Sequence, residues 1–233
     1  MTECALGALR VGYVPGVTVS KWARIWGERF PESPLELVAV PQAEQEAALR
    51  EARVDMCFVR LPIDREGLHA IPLWHELPVV VIPKDHPISL FDEVSRADLA
   101  DERMQDATDI DAMATTVELV AAVGGAAIMP HSLARLHHRR DLTYRTVTDA
   151  PDTRIALAWP IATESPAIEE FIGIVRGRTA HSSRGATEQK KRDTTAERKK
   201  TPDPHKKPSR QKTNPTRKTS NPRQRNTSRR RGR

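Results

Sequence analysis

From His181 to Arg233 the chain holds no Val, Ile, Leu, Met, Phe, Trp, Tyr or Cys. Ordering a backbone costs roughly 1–2 kcal/mol per residue, and burial of apolar side chains is the main term that offsets it. This stretch has none to bury. Pro202, Pro204, Pro208, Pro215 and Pro222 interrupt any helix that its Lys and Arg residues would favour. Residues 181–233 are therefore expected to form a disordered tail, which confines folding to the first 180 residues.

Charge divides the chain at the same place. Residues 181–233 carry 19 Lys and Arg against 4 Asp and Glu, a net of +15, whereas residues 1–180 carry 18 against 27, a net of −9. The overall +6 thus describes neither part. The folded portion is long enough for one domain or two small lobes. Its apolar runs, such as Val79–Ile82, fall far short of the ~20 residues that span a bilayer. Met1 to Leu9 is short, carries Glu3 and lacks a basic leader. Two cysteines, Cys4 and Cys57, make no disulfide framework, and Cys57 reads as a small core residue. A soluble, cytoplasmic protein with no membrane partner is expected.

Strand-like and helix-like segments alternate through the folded part. Leu9 to Val14 reads as a strand ending in Pro15-Gly16, and Thr18 as the N-cap of a helix with Trp22, Ile25, Trp26 and Phe30 on one face. A strand at Leu35–Val40, a helix from about Gln42 to Ala52 and a strand at Val54–Leu61 follow. That order, with short connections, predicts an α/β fold with a parallel sheet. Further strands are expected at Val79–Ile82, Ala126–Met129, Leu142–Val147 and Arg154–Trp159. Thr115–Val123 reads as a helix, and Val94–Leu99 and Leu133–His138 as helical turns. Ser165 should cap a last helix, with Pro166 at its first position.

The ordered set of these elements resembles the effector-binding domain of LysR-type transcription regulators. The resemblance runs over about residues 9–178. It rests on the Val54-Asp55 strand start, the Pro83-Lys84-Asp85-His86-Pro87 turn, and the helix–Gly–strand–Pro unit from Leu119 to Pro130. It implies a two-lobed periplasmic-binding-protein type 2 fold over residues 9–180, with lobe one at about 9–78 plus 153–180 and lobe two at about 79–152. It also implies a small-molecule effector between the lobes, and assembly as a homodimer or by pairing with a complete regulator. Two departures stand out. The family's winged helix-turn-helix and linker helix are expected to be missing, since the sequence starts at the effector domain. The stretch from Gln105 to Thr116 is shorter than the family pattern, which predicts a lobe two lacking a strand or helix, with an exposed sheet edge and a cleft that fails to close.

Within that frame, ligands of open α/β sheets sit beyond the carboxyl ends of the strands. Thr18 and Ser20, at the start of the first helix, either cap and solvate it or meet an acidic effector. Gln42 follows the second strand in the same position, as an exposed helix start or an amide contact to the ligand. Arg60 ends the third strand and either pairs with Asp64 or Glu66 or clamps an effector carboxylate. Pro130, His131 and Ser132 would face the cleft from lobe two, His131 as a loop histidine or as an effector contact.

The chain shows no G-x-S-x-G elbow, P-loop, H-E-x-x-H, C-x-x-C or G-x-G-x-x-G pattern, and His137-His138 lack zinc-helix spacing. No enzyme, cofactor or metal site is expected. A small enzyme on the same two-lobed fold remains the alternative, as does a nucleic-acid-associated protein acting through its tail. In the tail, Lys190, Lys191, Arg192, Arg198, Lys199, Lys200, Arg229, Arg230 and Arg231 form clusters suited to phosphates rather than bases.

Overall fold

The computed structural model describes residues 6–163 and 165–178. The basic clusters of the tail lie outside the described residues. Strands β1 (Leu9–Tyr13), β2 (Leu35–Ala39) and β3 (Met56–Leu61) run parallel, with β1 in the middle. β9 (Thr153–Pro160) lies antiparallel to β3, and β4 (Leu68–Glu76) lies antiparallel to β9 at the end of the five-stranded order β2-β1-β3-β9-β4. The chain then leaves this sheet through Leu77. β5 (Pro78–Pro83), β6 (Glu93–Val94), β7 (Ala127–Pro130) and β8 (Leu142–Val147) form a second sheet in the order β6-β8-β5-β7.

Packing explains the sequence pattern. Helices α1 (Ser20–Arg29) and α5 (Pro166–Val175) cover one face of the first sheet around Trp26, Phe58 and Phe171. Trp22 stacks on Phe58 at 4.8 Å between ring centroids, and the buried Trp26 Nε1–H donates to the Ser33 carbonyl at 2.8 Å. Such a buried N–H would be costly without an acceptor. Helix α2 (Gln45–Arg50) covers the other face with Ala48 and Leu49. Cys57 is fully buried there, and burial pushes its thiol pKa up to about 12, the behaviour of a core residue. In the second sheet, α3 (Met113–Val123) and α4 (His131–Leu136) pack on Val79 and Val81, while Ile88, Val94 and Leu99 pack on Val80 and Ile82. β5 is therefore covered on both faces, which is why it reads as an unbroken apolar run.

Several expectations need correction. β4 is a nine-residue strand not assigned from sequence, and it contains Pro72, which removes a ladder donor. The strand tolerates Pro72 by lying at the sheet edge, with a bulge between Pro72 and Trp74. Thr18 is not the N-cap of α1. Val19 holds that position without a side-chain cap bond, and the helix starts at Ser20. The expected helix 42–52 is a 3-10 turn, Gln42–Glu44, followed by α2. α4 begins at His131 rather than Leu133. Ser165 does cap α5, its Oγ accepting the Ala167 N–H at 3.3 Å.

The short stretch after Gln105 folds as consecutive aspartate turns. Asp106 Oδ1 accepts the N–H and the hydroxyl of Thr108 at 2.9 and 2.8 Å, and Asp109 Oδ1 accepts the N–H of Asp111 at 2.9 Å. These side chains satisfy the backbone groups of a connection too short for a regular element. At the end strand β7, Met104 bridges Ala126 and covers the start of the sheet edge.

Candidate functional site

The carboxyl ends of β1 and β2 open into a cavity of about 520 Å³. Tyr13, Gly16, Thr18, Val40 and Pro41 line it from the first lobe, and Asp111 and Leu136 from the second. The wall is largely apolar, with a phenol, a hydroxyl and a carboxylate as its polar points. At the mouth of α1, no protein hydrogen bond reaches the N–H of Thr18, Val19, Ser20 or Lys21 among the described residues. Four free donors at a ten-residue helix's start carry the positive end of its dipole.

Arg60 does not line the cavity but lies behind Pro15, a residue of its wall. Its side chain is 2% exposed and that of Glu76 3% exposed, with Nε 2.8 Å from Glu76 Oε2. Nη1 donates to Gln42 Oε1 at 2.8 Å, and Nη2 to the Pro15 carbonyl at 3.0 Å and to Ser132 Oγ at 3.5 Å. Gln45, itself buried, clamps the Arg60 backbone, accepting its N–H at 2.8 Å and donating to its carbonyl at 3.0 Å. Burial pushes the Glu76 carboxyl pKa up, but the hydrogen bonds and charge of Arg60, with help from Ser132 and Thr153, outweigh it. The net is a pKa below the ordinary carboxylate value. Gly16, at φ +89°, lies against Ser132, so that a Cβ on Gly16 would come within 2.5 Å of the Ser132 Oγ. The two lobes touch here, through Ser132.

The residues singled out from sequence take different places. Thr18 lines the cavity, while Ser20 is exposed at the first turn of α1. Gln42 turns its amide oxygen to Arg60. Arg60 pairs with neither Asp64 nor Glu66; Asp64 pairs with Arg50 instead. The guanidinium is committed to Glu76, Gln42, Pro15 and Ser132. Pro130 is buried opposite Pro78. The His131 ring packs on Tyr144 at 4.9 Å, and its buried Nε2 has no hydrogen-bond partner among the described residues. Ser132, the third residue of that group, meets the first lobe at Arg60.

Sequence reasoning missed Tyr13, Glu76, Asp111 and Leu136. Tyr13 could have been found as the last residue of β1, on the cleft side of the strand end. Glu76 closes β4, a strand not assigned from sequence. Asp111 gave no signal, because its partners lie 69 and 68 residues away: its carboxylate accepts the Gln42 N–H at 2.7 Å and the Ala43 N–H at 2.9 Å. No group of three His, Cys, Asp or Glu side chains suited to a metal occurs among the described residues. Nor is any described helix long and apolar enough to cross a membrane.

The family model described as the LysR substrate binding domain matches residues 5–106 and 103–180. The Hca operon transcriptional activator HcaR of Escherichia coli (strain K12) is 25% identical over 203 residues, covering 74% of this chain and 68% of that protein. A probable hydrogen peroxide-inducible genes activator of Mycobacterium xenopi is 33% identical over 86 residues, 36% of this chain and 46% of that protein. Another, of Streptomyces viridosporus, is 26% identical over 183 residues, and the chain spans 59% of its length. Among solved structures, the BenM effector-binding domain with its effector benzoate superposes with a TM-score of 0.63 at 22% identity, covering 76% of this chain and 94% of that one. The reduced OxyR regulatory domain from Pseudomonas aeruginosa superposes with a TM-score of 0.59 at 20% identity, covering 74% and 96%. At these identities the structures establish the fold, the two-lobed type 2 periplasmic-binding-protein arrangement.

Proposed function

The chain belongs to the LysR substrate-binding-domain family, and from that premise we propose that its cleft senses a small molecule with an apolar body and one acidic group. The supporting observation is the 520 Å³ cavity, apolar over most of its wall, with the unsatisfied N-terminus of α1 at its mouth. Ligand sites of this kind combine apolar burial with a few convergent polar groups. Thr18 and Ser20 meet the acidic group together with the free N–H donors of α1. The apolar body lies against Tyr13, Val40, Pro41 and Leu136. Arg60 and Gln42 act beneath the ligand, holding the strand ends in place, and Pro130 and His131 position α4. HcaR and the hydrogen peroxide-inducible activators are named as activators of genes rather than as enzymes, which supports a signalling role. Ligand binding then acts by shifting a population of lobe arrangements.

The test is thermal unfolding of the full chain against benzoate, other aromatic carboxylates, aliphatic carboxylates and amino acids. Binding at 100 times Kd adds about 2.7 kcal/mol, a shift of several degrees for a domain of this size. A shift confined to one carboxylate class supports the reading, and no shift across the panel refutes it. A homodimer, or a pair with a complete regulator, is the proposed assembly, read by the mass of the purified chain in solution. For the tail we propose sequence-independent contact with nucleic acid. Its signature is affinity for unrelated duplexes that falls with salt at a slope of about −0.9 per phosphate contacted. Replacing Lys190, Lys191, Arg192, Arg198, Lys199 and Lys200 with Gln should flatten that slope.

A further inference from the structure

Asp111 joins the two lobes across the cleft mouth. Both carboxylate oxygens are engaged, Oδ1 by the Gln42 N–H and Oδ2 by the Ala43 N–H. Those donors open the run of helical residues 42–50, and no carbonyl precedes them at helical spacing to take their place. On its own side Asp111 is held from both directions. Its N–H donates to Asp109, whose Oδ1 also accepts the Ala112 N–H at 3.3 Å, and Met113 begins α3 two residues on. No Lys, Arg or His pairs with Asp111 among the described residues. The carboxylate thus brings a negative charge into the cavity wall beside Tyr13, Thr18 and Pro41.

We propose that Asp111 is a built-in carboxylate latch, clipping the ligand-free lobes together and excluding an acidic ligand until it is displaced. The shortened 105–112 segment is the strap that carries it. An anion in the cavity meets a like charge at short range, so the latched and the ligand-bound states compete. Release of the strap frees α3, and with it the second lobe, to move. The competition rests on the acidic-ligand reading above. The clip between the lobes stands apart from that reading and is tested separately.

The experiment uses the full chain with Cys4→Ser and nitroxide labels at Glu36→Cys on β2 and Glu118→Cys on α3, both exposed positions. Pulsed electron resonance then reports the distance between lobes. Without ligand, Asp111→Ala should broaden the distribution and lengthen its mean. Asp109→Ala, which loosens the turn but keeps the carboxylate, should fall between Asp111→Ala and the unsubstituted chain. Superposable distributions for the unsubstituted chain and Asp111→Ala overturn the latch. Benzoate and cyclohexanecarboxylate are the binding probes, and Asp111→Ala should bind whichever of them the chain accepts at least about fivefold more tightly, the lower end of ordinary coupling. Equal or weaker binding overturns the competition. If neither form binds either acid while the distances still change, the acidic-ligand reading has failed and the clip stands.

Discussion

Replacing Glu76 with Gln removes the charge that neutralises Arg60 and changes almost nothing else in volume. Both side chains are nearly inaccessible, at 3% and 2% exposed, and Arg60 Nε lies 2.8 Å from Glu76 Oε2. Taking away one partner of a buried pair leaves a desolvated charge, which costs roughly 3–5 kcal/mol. Gln keeps one acceptor for Arg60 and for the Thr153 hydroxyl, so the lower end, about 3 kcal/mol, is expected. With a urea dependence of about 2 kcal/mol per molar, the unfolding midpoint should drop by about 1.5 M. Urea titration followed by tryptophan fluorescence reads this directly. Arg60→Met alone and combined with Glu76→Gln completes the cycle, and the pair should couple by more than about 2 kcal/mol. A midpoint shift below about 0.5 M, or a coupling near zero, would refute the buried pair described here. Arg60 would then be free to serve as an effector clamp.

Acid should act on the same pair. The folded-state pKa of Glu76 lies below its ordinary value near 4.5, so its contribution is present above that pH and is lost as pH falls through the folded value. Stability of the unsubstituted chain should therefore fall more steeply in this acidic range than that of Glu76→Gln, as read from urea midpoints at pH 7 down to 3. Gly16→Ala forces a side chain into φ +89° and against Ser132, and should cost about 1–3 kcal/mol, with part of it returned by adding Ser132→Ala. Thr18→Val should leave stability within about 0.5 kcal/mol, since Thr18 makes no cap bond, while weakening the carboxylate-induced thermal shift. Ser165→Ala removes a real cap and should cost about 1 kcal/mol in the same assay.

The contrast between Thr18 and Ser165 shows how far sequence carries. Both look like caps. At Ser165 a proline at the first helical position fixes the backbone, and the cap forms. At Thr18 the chain makes one more residue of turn before the helix starts, which local propensity does not encode. β4 is the opposite case: it holds a ladder-breaking Pro72 that its place at the sheet edge allows, and that place is not local information. For Arg60, the strand end was legible and the partner was not.

The sequence by itself determined the alternation of apolar strands and amphipathic helices, and the charge divide near residue 180, because those are set by local periodicity and composition. It also carried the family, through the order of elements rather than through any one motif. Tertiary structure alone decided which polar groups meet. Arg60 finds Glu76 16 residues along the chain and Ser132 72 residues along it. Asp111 reaches Gln42 and Ala43 from the other lobe. Such pairs depend on strand order within a sheet and on how two sheets are brought together by chain crossings distant in sequence, and no local pattern specifies either.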